Sequence, residues 1–450
     1  MRMERSIRPG LFRLLRAVGA GSLATLVAFA LSAAAAPGQL DPNFSGDGWV
    51  RTLEVRGSKA YLPRGAEDVA IQGDGKFVVA GEIQDGTSQM YFGVFRYMPN
   101  GDLDRSFGEG GWVATDLGSF EVAHAVAIQR DGKIVAAGET LCERAVCFGI
   151  ARYNVDGTLD RGFGSGGVAR TMFTQCGCWA YDVAVQPNGR IVAVGRRFRY
   201  GDAQDDGLFA VARYLPDGRL DPTFSRDGRA SLDFGFGDDA AQAMALYPDG
   251  KILVAGGGTR SRYRTQDDFA FARFRPNGTL DRGFSGDGLQ TVDFGRRRVD
   301  FAYSVDIQRD GRILAAGSST VGPRSSPNMA VLRLNRNGTL DNSFGAGGKQ
   351  LTGPVVHGGY ARAVRQQPNG RILIAGRAFE DARHDTSDWV IARYRSRGGL
   401  DRSFGNGGIV VTSFGTGADW AGALALQRDG KIAAAGSIYE SQGLARYLAR

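Results

Sequence analysis

Short runs in which apolar residues alternate with small or polar residues follow one another along the chain, separated by glycine-containing turns. Residues 125–129 (AVAIQ) alternate, Asp131 and Gly132 form a turn signal, and residues 133–138 (KIVAAG) continue as a second apolar run. Alternation indicates a strand with one buried face, and Asp-Gly between two such runs predicts a tight hairpin, because these residues accept its positive φ. A third run ends in Ala-Arg-Tyr, and a Gly-rich run such as GGVART completes the unit. The pattern predicts four antiparallel strands per unit.

This unit recurs about every 60 residues, and the motif Leu-Asp-x-x-Phe marks it at spacings between 56 and 63 residues. The motif begins at Leu40, Leu103, Leu159, Leu220, Leu280, Leu340 and Leu400. Repetition of a four-stranded unit, without a helical period after residue 36, indicates a β-propeller in which each unit forms one blade. An open β-solenoid is the structural alternative.

The repeat is out of phase with the ends of the sequence. Residues 40–52 form only the last quarter of a unit, and the C-terminal residues complete only the first three quarters of another. If the strand around residues 48–53 pairs with the strand around residues 444–448, the ring closes and leaves no exposed sheet edge. We therefore predict an all-β fold, a seven-bladed β-propeller of four-stranded antiparallel blades, as a single domain over residues 37–450.

Four motifs recur in the same order in every unit: Leu-Asp-x-x-Phe, a Gly-rich fourth strand, Gln-x-Asp-Gly-Lys-Ile-x-x-Ala-Gly and Ala-Arg-Tyr. In this combination the chain resembles the bacterial delta-60 repeat family, predicted β-propellers of exported proteins. The resemblance covers residues 39–450, with small departures at residues 332–334, where Leu-Arg-Leu replaces Ala-Arg-Tyr, and at residues 395–399, where the Asn-Gly turn is lost. It implies the propeller fold, but the family carries no established general activity and no catalytic residues to transfer.

The N-terminal segment has the features of an export signal. Five arginines precede an apolar run at residues 17–31, and small residues suited to cleavage follow it. That run is shorter than the roughly 20 residues of a membrane-spanning helix, so an uncleaved anchor is the weaker alternative. We expect residues 1–36 to be a signal peptide, cleaved after Ala34 or Ala35. The mature protein would then lie in the periplasm, at the cell surface or outside the cell, without a membrane span.

The net charge changes little about this picture. The formal charge of +8 includes five arginines and one glutamate of residues 1–36, so that about half of it belongs to the signal. A weak positive charge spread over a large exported domain is poor evidence for nucleic-acid binding. We expect a monomer with no nucleic-acid partner and no cofactor.

Each third strand carries an arginine that is close in sequence to the aspartate of Leu-Asp-x-x-Phe. The arginines are Arg96, Arg152, Arg213, Arg273, Arg333, Arg393 and Arg446, and the aspartates of six units are Asp104, Asp160, Asp221, Asp281, Asp341 and Asp401. A residue pair that is present in every unit is better explained by the blade structure that all units share than by an activity that the protein would need at only one site. We expect structural pairs that hold the outer strands in register; a ligand surface is the alternative. The Asp-Gly turns each supply one carboxylate, too few for calcium, so we expect no metal there.

Function should lie where the units differ, in the loops after the second strand and in the linkers between blades. Antiparallel strands place these segments on one face, which we call the variable face. Arginines interleaved with aromatic residues mark three neighbouring units there: Arg197, Phe198, Arg199, Tyr200, Arg260, Arg262, Tyr263, Arg264, Arg296, Arg297 and Arg298. Such residues suit planar, anionic or sugar-like ligands. A solvated loop surface compensated by nearby acids is the alternative.

Four cysteines belong to the same face, and an even number in an exported protein predicts disulfides. Cys142 and Cys147 flank one variable loop, whereas Cys176 and Cys178 lie in the next linker. Because neighbouring thiols in Cys-x-Cys would make a strained ring, we expect cross-links between the two segments, in a pairing that the sequence leaves open. A zinc site is the alternative.

Recognisable enzyme motifs are scarce. The three histidines form no zinc pattern, no Gly-x-Ser-x-Gly elbow occurs, and the glycines lack the strand-to-helix context of phosphate binding. We expect His124 to line an inner channel or to pack. The leading hypothesis is an exported, non-catalytic propeller whose variable face binds a glycan, an envelope polymer or a protein. The alternatives are a polysaccharide-active hydrolase or lyase using acidic pairs such as Asp238-Asp239 and Asp267-Asp268, and a purely structural surface protein.

Overall fold

The computed structural model describes residues 36–449 except 58–59, 119–120, 144, 174–176, 199–206, 261–266, 296–297, 322–324, 354–356 and 382. The export signal predicted for residues 1–36 lies almost entirely outside the described residues. Within the described ranges, no helix is long and apolar enough to cross a membrane.

The described strands form seven sheets arranged as the blades of a propeller. Blade 1 contains β3 (Ala60–Ile71), β4 (Phe77–Asp85), β5 (Met90–Tyr97) and β6 (Trp112–Thr115), with the short β2 (Val55–Arg56) paired to the start of β3. Blade 2 contains β7 (Val122–Ile128), β8 (Ile134–Cys142), β9 (Ala145–Tyr153) and β10 (Val168–Thr171); blade 3 contains β11 (Cys178–Val185), β12 (Ile191–Phe198), β13 (Gly207–Tyr214) and β14 (Arg229–Leu232). Blade 4 contains β15 (Phe236–Leu246), β16 (Ile252–Thr259), β17 (Asp268–Phe274) and β18 (Leu289–Val292); blade 5 contains β19 (Arg298–Ile307), β20 (Ile313–Val321), β21 (Asn328–Leu334) and β22 (Lys349–Thr352). Blade 6 contains β23 (Gly359–Gln366), β24 (Ile372–Phe379), β25 (Ser387–Tyr394) and β26 (Ile409–Thr412); blade 7 contains β27 (Trp420–Leu426), β28 (Ile432–Ile438), β29 (Ser441–Tyr447) and, as its outer strand, β1 (Trp49–Thr52).

The ring closes as the phase of the repeat predicts. Strand β1 pairs antiparallel with β29, with Trp49 opposite Ala445 and Thr52 opposite Gln442. The segment before β1 continues the contact, because the Gly38 N–H donates to the Leu448 carbonyl at 2.7 Å. The seven-bladed, all-β fold is confirmed.

The first strand of each blade lies at the centre of the ring and carries a β-bulge at one recurrent position. Where each first strand pairs with the second strand of its blade, the register shifts by one residue, for example between Ala361 and Ala363. The Ala-Gly of the second strand makes room for the bulge, since a Cβ on Gly376 would lie 1.8 Å from the Tyr360 carbonyl oxygen. A bulge re-aims a side chain, and here it turns one residue per blade toward the central channel.

Adjacent blades are joined by a contact that we call the interblade clasp. In blade 3, Arg213 Nε donates to Asp221 Oδ2 at 2.9 Å, and Arg213 also donates to the Pro276 carbonyl of blade 4. Its guanidinium lies over the Phe224 ring, 4.8 Å from the centroid. Each clasp therefore holds one blade's outer turn and the next blade's turn together, while hydrophobic clusters fill the space between the sheets.

Candidate functional site

The seven bulge residues surround the central channel near the variable face, and we call this ring the channel mouth. They are Glu67, His124, Tyr181, Gln242, Tyr303, Arg362 and Gly422. All seven line one central cavity of about 110 Å³. A shared backbone position thus presents a different side chain in each blade, which makes the mouth chemically asymmetric.

One side of the mouth combines arginine with aromatic rings. The guanidinium of Arg362 lies 5.0 Å from the Trp420 ring centroid and 5.6 Å from that of Tyr303. Tyr303 in turn lies 6.2 Å from Tyr360 on the next blade. Arg362, Trp420 and both tyrosines are partly exposed. Blades 5, 6 and 7 therefore supply a row of rings with a cation held between them.

A second arginine extends this row on the neighbouring strand. Arg377 is opposite Tyr360 in the sheet, and its guanidinium lies 4.9 Å from the Tyr360 centroid and 4.8 Å from that of Phe379. The imidazole of His384 stacks on Phe379 at 4.1 Å. We call the set the arginine-aromatic site; it comprises Tyr303, Tyr360, Arg362, Arg377, Phe379, His384 and Trp420.

The charge of this site is not neutralised by the described side chains. No described carboxylate forms an ion pair with Arg362 or Arg377, and the Arg377 Nε is buried without a hydrogen-bond partner. Burial lowers the pKa of Arg377, and the positive charge of Arg362 lowers it further. Two cations that are partly desolvated and repel each other form an environment in which a bound anion would be stabilised.

The opposite side of the mouth is acidic. Glu67 is a bulge residue, and Glu82 and Glu139 occupy the positions of β4 and β8 that correspond to Arg377. Burial raises the pKa of Glu82, the Arg64 charge lowers it, and the Glu67 and Glu139 charges raise it again. His124 lies here as well, with Nε2 3.9 Å from Glu139 Oε2 and its ring 5.3 Å from Tyr181. The structure places His124 in the channel lining, one of the two locations expected for it.

Deeper in the channel, acidic side chains connect neighbouring inner strands. Asp68 accepts from the Val126 N–H at 2.9 Å, and Asp182 accepts from the Met244 N–H at 2.7 Å. Burial raises the pKa of Asp182 to about 7, and the charge of Asp68 contributes in the same direction. Main-chain hydrogen bonds and Arg365 oppose this rise. These carboxylates therefore support the ring from inside and lie below the mouth.

The recurrent arginines and aspartates all take part in clasps. The Nε–Oδ2 or Nη2–Oδ2 distances of the seven pairs lie between 2.7 and 2.9 Å. Asp41 is the partner of Arg446 and completes the set. All seven arginines are buried, so this array does not present a ligand surface to solvent.

The arginine-rich loops predicted from the sequence are only partly described. Arg199, Tyr200, Arg262, Tyr263, Arg264, Arg296 and Arg297 lie outside the described residues. The other four make local contacts. Arg197 donates to the Phe173 carbonyl at 3.2 Å, the Phe198 ring lies 5.2 Å from Trp179, Arg260 pairs with Asp287 at 2.7 Å, and Arg298 donates to Ser319 Oγ at 3.1 Å. No described contact brings these four together.

The cysteine prediction requires a correction. Cys142 and Cys147 form a disulfide with each other, so the expected cross-link from this loop to the next linker is wrong for them. They flank a tight hairpin, and their Cα atoms are 5.8 Å apart, within the normal range for a disulfide. Cys178 is buried with its sulfur 3.6 Å from the Val146 carbonyl, and Cys176 lies outside the described residues.

Larger clefts lie away from the channel. A cleft of about 1040 Å³ at the outer edge of blade 1 is lined by Glu54, Arg56, Arg105 and Trp112 among others. A cleft of about 760 Å³ between blades 4 and 5 is lined by recurrent turn residues such as Pro248 and Asn337. The second is built from turn residues at positions that recur in every blade.

Sequence reasoning missed the arginine-aromatic site because it searched the loops. The site lies mainly on strands. Tyr303 and Arg362 are at the bulge position of their blades, and Tyr360 and Trp420 lie two residues before it. Arg377 directly follows the Ala-Gly of a second strand. When the repeats are aligned, the positions around the bulge hold similar residues in every blade, whereas the bulge position itself differs. It holds Glu67, His124, Tyr303 and Arg362 in four of the blades. Variation within a constant strand was the signal available.

A search against family models matches one family, described as "Domain of unknown function (DUF5122) beta-propeller". The matched segments are 72–107, 129–163, 186–224, 248–284, 308–344 and 367–404. Each begins one or two residues after an inner strand and ends at the phenylalanine of Leu-Asp-x-x-Phe. The matches therefore cover the constant frame of six blades. Tyr303, Tyr360, Arg362 and Trp420 fall outside them.

Solved structures with similar folds have diverse descriptions. A protein of unknown function from Dyadobacter fermentans has 12% sequence identity and a TM-score of 0.45, over 90% of this chain and 100% of that one. The polysaccharide lyase Uly1 has 11% identity and a TM-score of 0.48, over 86% and 90%. Sqt1 from Chaetomium thermophilum has 11% identity and a TM-score of 0.43, over 88% and 100%. No curated protein matches the chain. We draw no functional argument from these similarities.

Proposed function

We propose that this β-propeller repeat protein is an exported, non-catalytic binding protein that holds an acidic polysaccharide at the arginine-aromatic site. We assign its repeats to the delta-60 type on their motifs. The disulfide between Cys142 and Cys147 is compatible with export.

The observation that carries the proposal is the pairing of two uncompensated guanidinium groups with partly exposed rings. A guanidinium offers a planar set of donors that matches a carboxylate or sulfate group, and the rings limit its motion. The faces of Tyr303, Tyr360 and Trp420 provide flat apolar surfaces against which a sugar ring can pack. Acidic sugars carry both features, an anionic group and a flat C–H face.

The acidic side of the mouth supports orientation of the ligand. Glu67, Glu82 and Glu139 would repel an anionic polymer, so that it lies across blades 5 to 7. Repulsive groups beside an attractive site add to selectivity. A neutral polysaccharide would lack the attraction to Arg362 and Arg377, and we expect it to bind weakly.

Binding can be tested with polygalacturonate and chondroitin sulfate as acidic probes and with dextran as the neutral probe, by calorimetry or an immobilised-glycan assay. Arg362→Ala and Trp420→Ala should each weaken acidic-probe binding by about tenfold or more, equivalent to about 1.4 kcal/mol. Arg260→Ala is the matched control, since Arg260 is on the variable face but is already paired with Asp287.

Three outcomes would contradict the proposal: no binding of either acidic probe, equal binding of dextran, or equal binding by the Arg362→Ala variant. Loss of binding only on combined replacement of Arg262, Arg264 and Arg297 would place the ligand on the arginine-rich loops instead.

A polysaccharide-active enzyme is the second candidate, on one observation. His124, Glu139 and Tyr181 lie together at the same mouth, with His124 Nε2 3.9 Å from Glu139 Oε2, and an imidazole close to a carboxylate and a phenol can transfer protons. The assay incubates the acidic probes with the protein and follows new reducing ends and unsaturated products. Turnover that disappears in His124→Asn, while binding is retained, would favour the enzyme.

A further inference from the structure

The cleft between blades 4 and 5 uses positions that recur in every blade but holds unusual residues at two of them. Tyr247 takes the place of a glutamine that the other six units share, and Arg336 takes a turn position that holds proline, valine, serine or alanine elsewhere. The aromatic and charged residues of the lining are Tyr247, Asp249, Lys251, Arg273, Arg309 and Arg336. Because antiparallel strands alternate in direction, these turns lie on the face of the ring opposite the variable face.

The cleft between blades 3 and 4 has the same frame and serves as a comparison within the chain. Its volume is about 470 Å³, against about 760 Å³ between blades 4 and 5. It is lined by Thr223, Pro248 and Pro276, where the larger cleft has Gly283, Arg309 and Arg336. At none of the other six junctions does the sequence place arginine at both of these turn positions. The cleft between blades 4 and 5 is therefore both larger and more basic than the shared frame requires.

Gly283 leaves space beside the clasp arginine of blade 4. In blade 3, Nη2 of the equivalent arginine donates to the Thr223 hydroxyl at 3.0 Å, a contact that a glycine cannot make. A Cβ on Gly283 would lie 3.7 Å from Arg273 Nη2, so the space accepts a side chain, as it does in blade 3. Arg273 Nη1 donates to the Arg336 carbonyl at 2.5 Å, and the guanidinium lies 5.6 Å from the Tyr247 ring centroid. One wall of the cleft thus combines the edge of a guanidinium with an aromatic ring.

The basic residues of the cleft outnumber its acids. Asp249 pairs with Lys251, and the Asp310 carboxylate beside the cleft pairs with an arginine of its own hairpin. Arg336 Nε donates to the main-chain oxygen of Asp310, and both Arg309 and Arg336 are exposed. Within the described ranges, neither of these two arginines forms an ion pair with a carboxylate. An anion that enters the cleft therefore meets guanidinium groups whose charge is not already neutralised.

We propose that this cleft binds a small organic phosphate, with the phosphoryl group facing Arg309 and Arg336 and the organic part against Tyr247. A phosphate monoester carries a charge of about −1.5 to −2 at neutral pH and three acceptor oxygens, whereas a carboxylate offers a single charge. The forked donors of arginine match phosphate oxygens, and several bases around one group favour the more highly charged anion. The cleft volume lies within the roughly 300–1,000 Å³ of small-molecule sites, and Leu246 and Ile307 add apolar surface.

Phenyl phosphate is the probe, with inorganic phosphate as the comparison that lacks a ring and benzoate as the one that carries a carboxylate instead. Calorimetry on the mature protein in about 0.15 M salt, where long-range attraction is screened, measures each affinity. Phenyl phosphate should bind once per chain, and about tenfold more tightly than either comparison.

Arg336→Pro and Gly283→Thr copy the junction between blades 3 and 4, so both variants should fold, which thermal unfolding checks. Each should weaken phenyl phosphate binding by about tenfold or more, the first because a cation is lost and the second because the space is filled. Arg428→Pro is the matched control, because Arg428 is exposed in blade 7 at the position of Arg309, and it should leave binding unchanged.

The proposal fails if phenyl phosphate does not bind, if benzoate binds equally well, or if both Arg336→Pro and Gly283→Thr bind as the unmodified protein does. An equal loss in Arg428→Pro would also overturn it, because it would reveal a general attraction to the basic turns. The cleft shares no residue with the arginine-aromatic site, so Arg362→Ala should bind phenyl phosphate normally, and failure of this proposal would leave the proposed glycan binding untouched.

Discussion

Arg446 Nε donates a hydrogen bond of 2.7 Å to Asp41 Oδ2, and these two residues are 405 positions apart in the chain. Arg446 also donates to the Pro99 carbonyl of blade 1 at 2.6 Å, as the equivalent arginine does in the other blades. Lys431 reaches the same Asp41 carboxylate at 3.0 Å. The contact that closes the ring therefore has the same construction as the contacts within it.

This equivalence predicts that breaking the closing clasp costs as much as breaking an internal one. Arg446→Ala and Arg213→Ala should each lower the free energy of unfolding by about 3–5 kcal/mol, because each leaves a buried carboxylate with only one basic partner. Chemical denaturation of both variants measures the two losses. A normal loss for Arg213→Ala with no loss for Arg446→Ala would show that the ring is open in solution.

Deletion of residues 39–53 tests the same closure on a larger scale. The deletion removes β1 and Asp41 together, so β29 loses its strand partner and Arg446 its carboxylate. We expect a large drop in Tm or failure to form a closed ring, measured by thermal unfolding and small-angle scattering. Unchanged melting would contradict the closure.

The pH dependence of stability follows from two groups of carboxyls. Burial acts to raise the pKa of Asp41 and Asp221, but hydrogen bonds and arginine or lysine charges hold it below 3.8. Each of these carboxyls stabilises the folded state fully when the pH is above its pKa in the unfolded chain. The contribution is lost as the pH falls through its lower pKa in the folded state. Stability should therefore fall in acid, with several protons taken up together.

Asp182 and Asp239 act in the opposite direction. Burial raises the pKa of Asp182 to about 7 and that of Asp239 to about 8. A carboxyl whose pKa is raised in the folded state contributes fully to stability when the pH is below its ordinary pKa of 3.8. This contribution is lost as the pH rises toward the raised pKa of the folded state. Tm should therefore be highest in mildly acidic solution, and the decline above it should be shallower in Asp182→Asn. An equally steep decline in that variant would contradict the assignment.

The disulfide should contribute modestly to stability. Cys142 and Cys147 are five positions apart and close a loop that the pairing of β8 with β9 already constrains. For so short a loop, the chain-entropy estimate is about 2 kcal/mol. The double variant Cys142→Ser/Cys147→Ser should lose about that much in denaturant unfolding and retain glycan binding, since blade 2 lies outside the arginine-aromatic site. A loss of binding would connect this loop to the ligand.

The sequence predicted the frame because every blade repeats it. Asp-Gly turns, the Arg213–Asp221 pair and the incomplete units at the two ends are local signals, and together they specify seven blades and their closure. The cysteine pairing was misjudged because it depends on which side chains face each other across one hairpin. The arginine-aromatic site was missed because Tyr303, Arg362 and Trp420 come from different blades. The bulge, visible in the register of paired strands, turns Tyr303 and Arg362 toward the channel, and Trp420 lies two residues before the bulge of its own blade.

The bulge itself can be tested as the device that positions Arg362. A methyl group at Gly376 would lie 1.8 Å from the Tyr360 carbonyl oxygen, and one at Gly256 would lie 1.8 Å from the Ala240 carbonyl oxygen. Gly376→Ala and Gly256→Ala should therefore destabilise the protein by similar amounts, typically about 1–3 kcal/mol for an overpacked site. Only Gly376→Ala should also weaken binding of an acidic polysaccharide, because the bulge opposite Gly376 presents Arg362 whereas that opposite Gly256 presents the neutral Gln242. Parallel measurement of unfolding and of polygalacturonate affinity separates the two effects. Equal affinity in both variants would mean that the bulge does not control the orientation of Arg362.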